Sequence, residues 1–453
     1  MSTGLVWFRA DLRLEDNPAW AAATAAHEAV VALFVVDPVL WDGAGEHRRN
    51  QLAAHLRALD GSLQTRGGRL RVRRGDPGRV VPVEAAACGA ARVHWNGDAT
   101  PYARRRDGAV AEALGGAAEE HGGRYVHSPG TLRTAVGGPF RVFTPFFRAW
   151  QARPWDPWPE AGEARVAPDP GEGIPAAGRP PMLPGEAAAA ERLEAFLARV
   201  GRYHEERDRP DLDTTSRLSA DLSFGTIAAR TVVRRAEGPG PGREAFVRQL
   251  AWRDFNAHLL GAFPASRHRP LRPEYDTLAW RVDPGGFSAW AEGRTGYPFV
   301  DAAMRQLRME GWIHNRARMV AASFLVKDLL VDWRQGERHF RRWLVDGDLA
   351  QNVGNWQWVA GTGADAAPYF RIFNPVSQGL RFDPDGTYVL RWVPELAGLR
   401  APAIHAPWQA APGVLAAAGV RLGGTYPFPL VDHAEARAAA LAAYGAAKRL
   451  RPA

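Results

Sequence analysis

The stretch Asp346-Gly-Asp-Leu-Ala-Gln-Asn-Val-Gly-Asn-Trp-Gln-Trp358 gathers carboxylates, amides and indoles into one short segment. Asn352 and Trp356 are spaced i and i+4, so a helix here would place both side chains on one face. Groups of this kind suit a redox cofactor. The segment lies in the part of the chain where strand-like alternation is mostly absent, so it predicts a cofactor site in a helical domain.

The first third of the chain has a different pattern, in which short apolar runs alternate with helical stretches. The predicted strands are residues 5–8, 30–36, 70–73, 92–95 and 125–127. Asp16-Asn17-Pro18 predicts a helix start between the first two, because a capping side chain precedes a proline at the first helical position. The alternation predicts a doubly wound, parallel five-stranded sheet, similar to a Rossmann fold. No Gly-x-Gly-x-x-Gly follows any of these strands and no Gly-Lys pair exists, so we expect no ordinary nucleotide loop.

These patterns divide the chain into an α/β domain over residues 1–130, a connector over 131–190 and a large α-helical domain over 191–453. The connector prediction rests on composition, since the chain from Pro154 to Pro184 is rich in proline, glycine and acids. Residues 315–330 are apolar almost all round after the first turn, which predicts a buried helix.

Charge and cysteine content limit the classes of protein that fit. The 453 residues carry a formal net charge of +8, and Lys327 and Lys448 are the only lysines. Arginines can make bidentate contacts with phosphates, so we expect a polyanionic partner. The single cysteine, Cys88, excludes an internal disulfide and a multi-cysteine metal site, and we predict no metal centre. The apolar run at residues 29–36 is too short for a membrane helix, so we expect a protein that does not bind membranes. The single cysteine fits a reducing cytoplasm, and we expect a monomer.

Two further segments carry groups that could bind a ligand. Thr215-Ser-Arg-Leu-Ser219 has hydroxyls and a guanidinium that can hold a diphosphate, although Ser and Thr are also common helix caps. In Val247-Arg-Gln-Leu-Ala-Trp-Arg-Asp-Phe255 the residues Gln249, Trp252 and Arg253 are spaced i, i+3 and i+4. That helix face could bind a base, or Trp252 could be an ordinary core residue.

Together with Gly311-Trp-Ile-His-Asn-Arg-Ala-Arg-Met319, these segments resemble the DNA photolyase and cryptochrome family from Leu5 to about His433. The resemblance is greatest to the bacterial class I photolyases that act on cyclobutane pyrimidine dimers. It implies an antenna domain followed by a helical domain that binds a U-shaped FAD. The residues implied for FAD are Tyr203, Thr215, Ser216, Arg217, Leu218, Ser219, Arg253, Trp312, Asn315, Arg318, Asp346, Asp348 and Asn352. Arg318 would pair with Asp346, and Asn352 would face flavin N5.

The resemblance also implies the reaction and its substrate. Reduced FAD would donate an electron, under light, to a pyrimidine dimer flipped out of UV-damaged double- or single-stranded DNA. The dimer would split into two pyrimidines and the electron would return. The residues implied for DNA or lesion binding are Arg207, Gln249, Trp252, Asn315, Arg316, Met319 and Trp358. The implied catalytic residues are Gln249, Asn352 and an electron relay of Trp280, Trp333 and Trp356.

An antenna chromophore is implied in the first domain. Trp95-Asn-Gly-Asp98 resembles the members that bind 8-hydroxy-5-deazaflavin, whereas Tyr102-Ala103 stands where folate-binding members have Asn-Glu. We therefore expect 8-hydroxy-5-deazaflavin, with methenyltetrahydrofolate as the alternative. The candidate antenna residues are Phe34, Asp37, Arg48 and Asp98.

Gln249 departs from the dimer photolyases, many of which have glutamate there. The (6-4) photolyases also have glutamine, but they use a histidine pair where this chain has His314-Asn315, so the dimer assignment is favoured. Two alternatives remain. A cryptochrome photoreceptor would keep FAD and the relay without repair, and a non-catalytic basic DNA-binding protein would have no flavin absorption.

Overall fold

The computed structural model describes residues 2–365, 368 and 370–449. The chain forms two compact units. Unit 1 comprises Met1–His204, Ser216–Pro264 and Val345–Gln351, and unit 2 comprises Glu205–Thr215, Ala265–Leu344 and Asn352–Ala453. The domain limits at residues 130 and 190 stay predictions.

A parallel sheet forms the start of unit 1. Its strands are β1 (Thr3–Phe8), β2 (Ala29–Val36), β3 (Leu70–Arg74), β4 (Ala90–Asn96), β5 (Ala118–His121) and the short β6 (Arg165–Val166). The order is β3-β2-β1-β4-β5, and β6 pairs with β2. The predicted five-stranded parallel sheet is therefore confirmed, and β6 is an addition from the predicted connector.

The fifth strand lies at Ala118–His121, so the prediction of a strand at residues 125–127 is wrong. Tyr125 is buried because it packs in a cluster with Ala257 and Leu260, not because it belongs to the sheet. The His127 amide donates to Asp254 Oδ2 at 3.0 Å, which satisfies the backbone without a strand partner. A buried loop segment and a buried strand can have the same run of apolar residues, which is why the sequence predicted a strand here.

The helices follow in chain order, and the long ones lie mainly after residue 185. They are α1 (Pro18–Ala26), α2 (Pro38–Gly43), α3 (Glu46–Gln64), α4 (Pro77–Ala87), α5 (Pro101–Leu114), α6 (Phe143–Ala152), α7 (Gly185–Leu197), α8 (Tyr203–Glu206), α9 (Ser219–Phe224), α10 (Ala229–Ala236), α11 (Pro241–Ala262), α12 (Pro284–Glu292), α13 (Pro298–Glu310), α14 (Asn315–Ser323), α15 (Trp333–Trp343), α16 (Leu349–Ala360), α17 (Pro375–Phe382), α18 (Thr387–Trp392), α19 (Pro412–Ala417) and α20 (His433–Arg449). The predicted start of α1 is confirmed, since Asn17 accepts a hydrogen bond from the Trp20 amide and Pro18 follows it. None of the helices in the described ranges is long and apolar enough to cross a membrane.

The predicted buried helix at residues 315–330 is α14 together with a π-helical turn, Phe324–Asp328. Lys327 lies inside this turn and is fully buried. Its ammonium donates to the Ala360 carbonyl at 3.1 Å and lies 3.5 Å from the centre of the Tyr444 ring. These contacts do not fully offset burial, which lowers the pKa of Lys327 to about 7.

Candidate functional site

In unit 1 the predicted cofactor acids lie on the segment Val345–Gln351, here called the acid loop. Asp348 caps α16, because its Oδ1 accepts hydrogen bonds from the amides of Ala350 and Gln351 at 3.0 and 3.1 Å. Its Oδ2 accepts a bond of 2.9 Å from Arg124. Burial alone would raise the pKa of Asp348, but the charges of Arg124 and Arg253 hold it below its ordinary value. Asp348 is therefore an ionised, fixed carboxylate.

Arg124 joins this loop to the segment after β4. Its guanidinium forms ion pairs with Asp348 and with Asp98, one of the predicted antenna residues. Burial opposes the charge, yet the two carboxylates contribute to a raised pKa for Arg124. No sequence motif predicted a role for Arg124. Its role depends on ion pairs with two acids that are distant from it in the chain.

Arg48, another predicted antenna residue, contacts the same loop. Its Nη1 donates to the Val345 carbonyl at 2.7 Å and to Ser223 Oγ at 3.3 Å. The guanidinium also lies 4.5 Å from the centre of the Phe224 ring. Burial, and then the nearby Arg124, lower the pKa of Arg48 to about 10. Its role in antenna binding stays a prediction, but its contacts are those of a residue that holds the acid loop.

The remaining antenna candidates lie at the sheet. Phe34 is buried in β2, and Asp37 caps α2 by accepting a hydrogen bond from the Val39 amide. Asp37 Oδ2 also accepts a hydrogen bond from the hydroxyl of Tyr102. Burial, and then this carboxylate, raise the pKa of Tyr102. The sequence analysis did not predict the contact between Tyr102 and Asp37.

Helix α11 carries Gln249, Trp252 and Arg253, as predicted from their spacing. Arg253 donates to the carbonyls of Arg124 and Leu222 at 2.8 and 3.0 Å. In return, Gln351 Nε2 donates to the Arg253 carbonyl at 2.8 Å. These bonds fix α11 to the acid loop within unit 1.

Trp252 has one ring face covered. It stacks on Phe143 of α6 with ring centres 3.8 Å apart and planes 5° from parallel. The indole itself is only partly buried. The sequence identified this indole but missed Phe143, although the aromatic spacing in Phe143-Thr-Pro-Phe-Phe147 was a usable signal. Gln249, one turn earlier, donates to its own helix at the Ala245 carbonyl at 3.3 Å.

The predicted phosphate segment has an unusual backbone. Arg217 has φ +52°, a left-handed conformation that is strained for an arginine. Ser216 Oγ accepts a weak hydrogen bond of 3.4 Å from the Leu218 amide, and Ser219 begins α9. Within the described residues, the Thr215 hydroxyl is buried and has no hydrogen-bond partner. A buried orphan hydroxyl is costly unless a ligand satisfies it, so this segment fits a polar group such as a phosphate.

Tyr203 lies just before this segment, at the start of α8. Its ring packs edge-on against Phe196 and Phe246, with ring centres 5.4 and 5.7 Å away. The ring of this predicted FAD residue is therefore fixed by α7 and α11.

In unit 2 the predicted flavin residue Asn352 is buried and oriented. Its Nδ2 donates to both the carbonyl and the Oε1 carboxylate oxygen of Glu337, each at 2.9 Å. Burial raises the pKa of Glu337 above its ordinary value. Because the amide nitrogen is occupied by two acceptors, Asn352 presents its oxygen as the remaining acceptor. Glu337 was not predicted, although it lies four residues after the predicted relay residue Trp333.

Trp356 is 2% exposed and packs edge-on. Its ring centre lies 5.0 Å from Phe340 and 6.2 Å from Trp290. Gly336 closes the space, since a Cβ built there would lie 2.1 Å from Trp356 Cη2. The indole is therefore enclosed by its neighbours in unit 2.

The other two predicted relay residues lie on neighbouring segments of unit 2. Arg281, next to Trp280, donates its amide to the Leu330 carbonyl at 2.8 Å, which pairs this segment with the turn before α15. Trp333 is the first residue of α15, one turn before Gly336. Trp356 and Trp333 are buried, whereas Trp280 is partly buried. Relay function stays a prediction.

Helix α14 of unit 2 carries the other predicted contacts. Arg316 pairs with Asp208 at 2.9 Å and lies 4.2 Å from the centre of the Phe382 ring. Asn315 donates to Met319 Sδ at 3.6 Å. Arg318 Nε donates to the Ile313 carbonyl at 2.8 Å.

The pairing of Arg318 with Asp346 stays a prediction, since the two residues belong to different units. The ring centre of Trp312 is 6.4 Å from that of His314. Arg207 and Trp358 are partly buried.

Comparison with known proteins decides the family. Residues 4–163 match the model of the DNA photolyase domain, and residues 246–446 match the FAD binding domain of DNA photolyase. The chain belongs to the DNA photolyase family. It is 46% identical to the deoxyribodipyrimidine photo-lyase of Streptomyces griseus over 97% of this chain and 98% of the relative.

Two solved structures of the photolyase family are also similar. The class III photolyase of Agrobacterium tumefaciens matches with a TM-score of 0.92 and 40% identity, over 99% of this chain and 98% of its own. The cryptochrome of Synechocystis matches with a TM-score of 0.88 and 29% identity, over 98% and 99% of the two chains. The predicted family, the fold and an FAD-binding domain are thus confirmed.

Proposed function

We propose that the protein is a light-dependent lyase that uses reduced FAD to split cyclobutane pyrimidine dimers in UV-damaged DNA. Asn352 carries this proposal. Its amide nitrogen is held by Glu337, so its oxygen can accept a hydrogen bond from a protonated flavin N5. A neutral acceptor avoids the repulsion that a carboxylate would impose on a reduced, negatively charged flavin. Repair requires that this reduced form persists.

Each unit, taken by itself, has residues whose chemistry fits part of FAD. The buried Thr215 hydroxyl and the strained Arg217 segment would hold the diphosphate. Arg124 and Arg253 keep Asp348 ionised, so that its carboxylate can accept hydrogen bonds while it caps α16. When bound and reduced, FAD would supply the electron for dimer cleavage.

The lesion would be recognised by an aromatic surface with polar neighbours. Trp252 is held flat by Phe143, so a flipped pyrimidine dimer could stack on its other face at little cost in conformational entropy. Gln249 would bond the pyrimidine edge, and Asn315, Met319 and Trp358 would line the pocket. Arg207 and Arg316 would contact phosphates or bases.

The tryptophans would serve activation rather than repair itself. Trp280, Trp333 and Trp356 would carry an electron inward to photoexcited, oxidised flavin. This is supported by the segment pairing beside Trp280 and by the close contact of Gly336, a residue of α15, with Trp356.

An antenna chromophore, with 8-hydroxy-5-deazaflavin preferred over methenyltetrahydrofolate, would bind near Phe34, Asp37 and Asp98. The bond between Tyr102 and Asp37 supports a polar contact there. Arg48 would act indirectly, by holding the acid loop through Val345.

The test is repair by the full chain purified under dim light. Flavin absorption should be present, and the fully reduced protein should restore thymine-dimer DNA under blue light but not in the dark. Normal flavin content and full reduction without light-dependent restoration would overturn repair and leave the cryptochrome alternative. A protein without flavin would overturn the cofactor assignment as well.

A further inference from the structure

A cluster of nitrogen and oxygen donors lies on strands β4 and β5, among residues that the repair proposal does not use. His94 of β4 is paired in register with Glu119 of β5, and His121 follows two residues later. His94 Nδ1 is 3.1 Å from His121 Nε2 and 3.7 Å from Glu119 Oε2. His121 Nε2 is 3.6 Å from Glu119 Oε1.

Strand geometry places these three side chains on one face of the sheet. Side chains alternate along a strand, so Glu119 and His121 project to the same side, and His94 is opposite Glu119. Trp95 and Glu120 project to the other side, where the Trp95 indole donates to Glu120 at 3.2 Å. The donor group is thus built by the sheet and not by a mobile loop.

One distribution of the imidazole protons leaves a site for a cation. His94 Nε2 is 3.3 Å from His27 Nε2, and His27 Nδ1 is 3.3 Å from Ser2 Oγ. If the His94 proton lies on Nε2, it can be donated to His27, which then donates its own Nδ1 proton to Ser2. The lone pairs of His94 Nδ1 and His121 Nε2 then face each other and Glu119. A metal ion could bind His94 Nδ1, His121 Nε2 and a Glu119 oxygen together. His27 would then accept the hydrogen bond from the other ring nitrogen of His94, a contact that metal-bound histidines usually have.

The distances and donor types select the class of ion. Two imidazole nitrogens 3.1 Å apart can both lie about 2.0–2.1 Å from one Zn²⁺ ion, with a carboxylate oxygen at about 2.0–2.2 Å. The donor atoms of the three residues all lie within 4.8 Å of one another. Magnesium and calcium prefer oxygen ligands, so two imidazoles favour a transition metal. The Glu119 side chain is 43% exposed and provides an entry path.

We propose that His94, Glu119 and His121 bind a divalent transition-metal ion, with Zn²⁺ the best fit, that ties edge strand β5 to β4. The three residues would fill three of the four positions that Zn²⁺ usually has, and a water molecule would take the fourth. The proposed role of the ion is structural. The ion would hold the last main strand of the sheet in place, and it is independent of the flavin chemistry proposed above.

The test is zinc binding by the full chain, prepared without a histidine tag and stripped with a chelator. Calorimetric titration with Zn²⁺ and elemental analysis after dialysis should show one ion per chain. His27→Gln should weaken binding by about 10- to 100-fold, as expected for an outer partner. His121→Asn and Glu119→Gln should weaken it further, because each removes a direct ligand.

Glu120→Gln is the matched control. It removes one carboxylate from the same strand but on the opposite face, so zinc affinity should not change. Circular dichroism and flavin content would confirm that each variant folds. Absence of zinc binding by the unaltered chain would overturn the proposal. Equal affinity in folded His121→Asn, Glu119→Gln and unaltered protein would overturn it too.

Discussion

Trp252 and Trp356 are both predicted site indoles, but their surroundings differ. Trp252 in unit 1 is partly buried and lies flat on Phe143, with planes 5° apart. Trp356 in unit 2 is 2% exposed and meets Phe340 edge-on at 70°. An indole held flat by one partner suits stacking on a further ring, whereas an enclosed indole suits electron transfer without contact with substrate.

Trp356→Phe should have the largest effect and should separate the two roles. Phenylalanine keeps an aromatic ring but is much harder to oxidise, so photoreduction of oxidised flavin should be abolished. Repair by chemically pre-reduced protein should be largely retained. Flavin absorption under blue light with an external electron donor measures photoreduction. Dimer restoration by the pre-reduced protein measures repair.

The control for this variant is Trp252→Phe, which should photoreduce normally. If Trp356→Phe instead lost repair in the pre-reduced state while keeping its flavin, Trp356 would not be a relay residue. Trp280→Phe should behave like Trp356→Phe, since it is the partly buried member of the predicted relay.

Trp252→Ala tests whether Trp252 stacks on the lesion. Loss of base stacking costs about 1–3 kcal/mol, so affinity for thymine-dimer DNA should fall by about 5- to 150-fold. Affinity for undamaged DNA should change little, because it depends on phosphate contacts. Binding titrations with both DNAs at one salt concentration measure this. An equal loss for both would argue against a lesion contact.

Gly336→Ala should disturb Trp356 most. The added methyl would lie 2.1 Å from Trp356 Cη2 and 2.7 Å from Leu325 Cδ2, so the enclosed indole must shift. Overpacking of this kind costs about 1–3 kcal/mol, seen as a lower midpoint of denaturant unfolding, and photoreduction should slow. Gly61→Ala is the matched control, since that helical glycine has open space. Unchanged stability and photoreduction would show that the packing around Trp356 is loose.

Much of the fold followed from the sequence, and the main error has a physical cause. Strands β1 to β4 were found because apolar residues occupy them, but β5 reads Ala-Glu-Glu-His and is polar. Its position at the edge of the sheet permits that composition. Burial of Tyr125 in a loop drew the prediction to the wrong residues. The same error hid Glu119 and His121, whose shared face is visible only when residues 118–121 form a strand.

The residues of the candidate site were predicted from motifs, but the residues that contact and orient them were not. Arg124, Glu337 and Phe143 orient Asp348, Asn352 and Trp252 from distant parts of the chain. Such partners depend on tertiary packing, which local spacing does not encode. Arg48 shows the same limit, since the family resemblance made it an antenna candidate and its contact with Val345 was not foreseen.

Phe143→Leu should produce a smaller effect than loss of Trp252 itself. Leucine fills much of the space but cannot stack, and an aromatic pair contributes about 0.5–1.5 kcal/mol beyond its burial. Affinity for dimer-containing DNA should fall by about 2- to 12-fold. Phe147→Leu, which changes another α6 ring, should have less effect. If Phe143→Leu bound the lesion normally, Trp252 would be positioned by other contacts.

Gln249→Glu should have the smallest effect, and it should be neutral or favourable. Gln249 lies one turn from Trp252 on α11 and is partly buried, with its nitrogen on the Ala245 carbonyl at 3.3 Å. Glutamate keeps the length and can still accept a hydrogen bond from a pyrimidine, and it adds the carboxylate that many dimer photolyases have. Repair per absorbed photon should therefore hold or rise, while photoreduction through Trp356 stays unchanged. A clear loss of both lesion affinity and repair would mean that the amide nitrogen donates to the substrate and that this chain reads a lesion with a different pattern of acceptors.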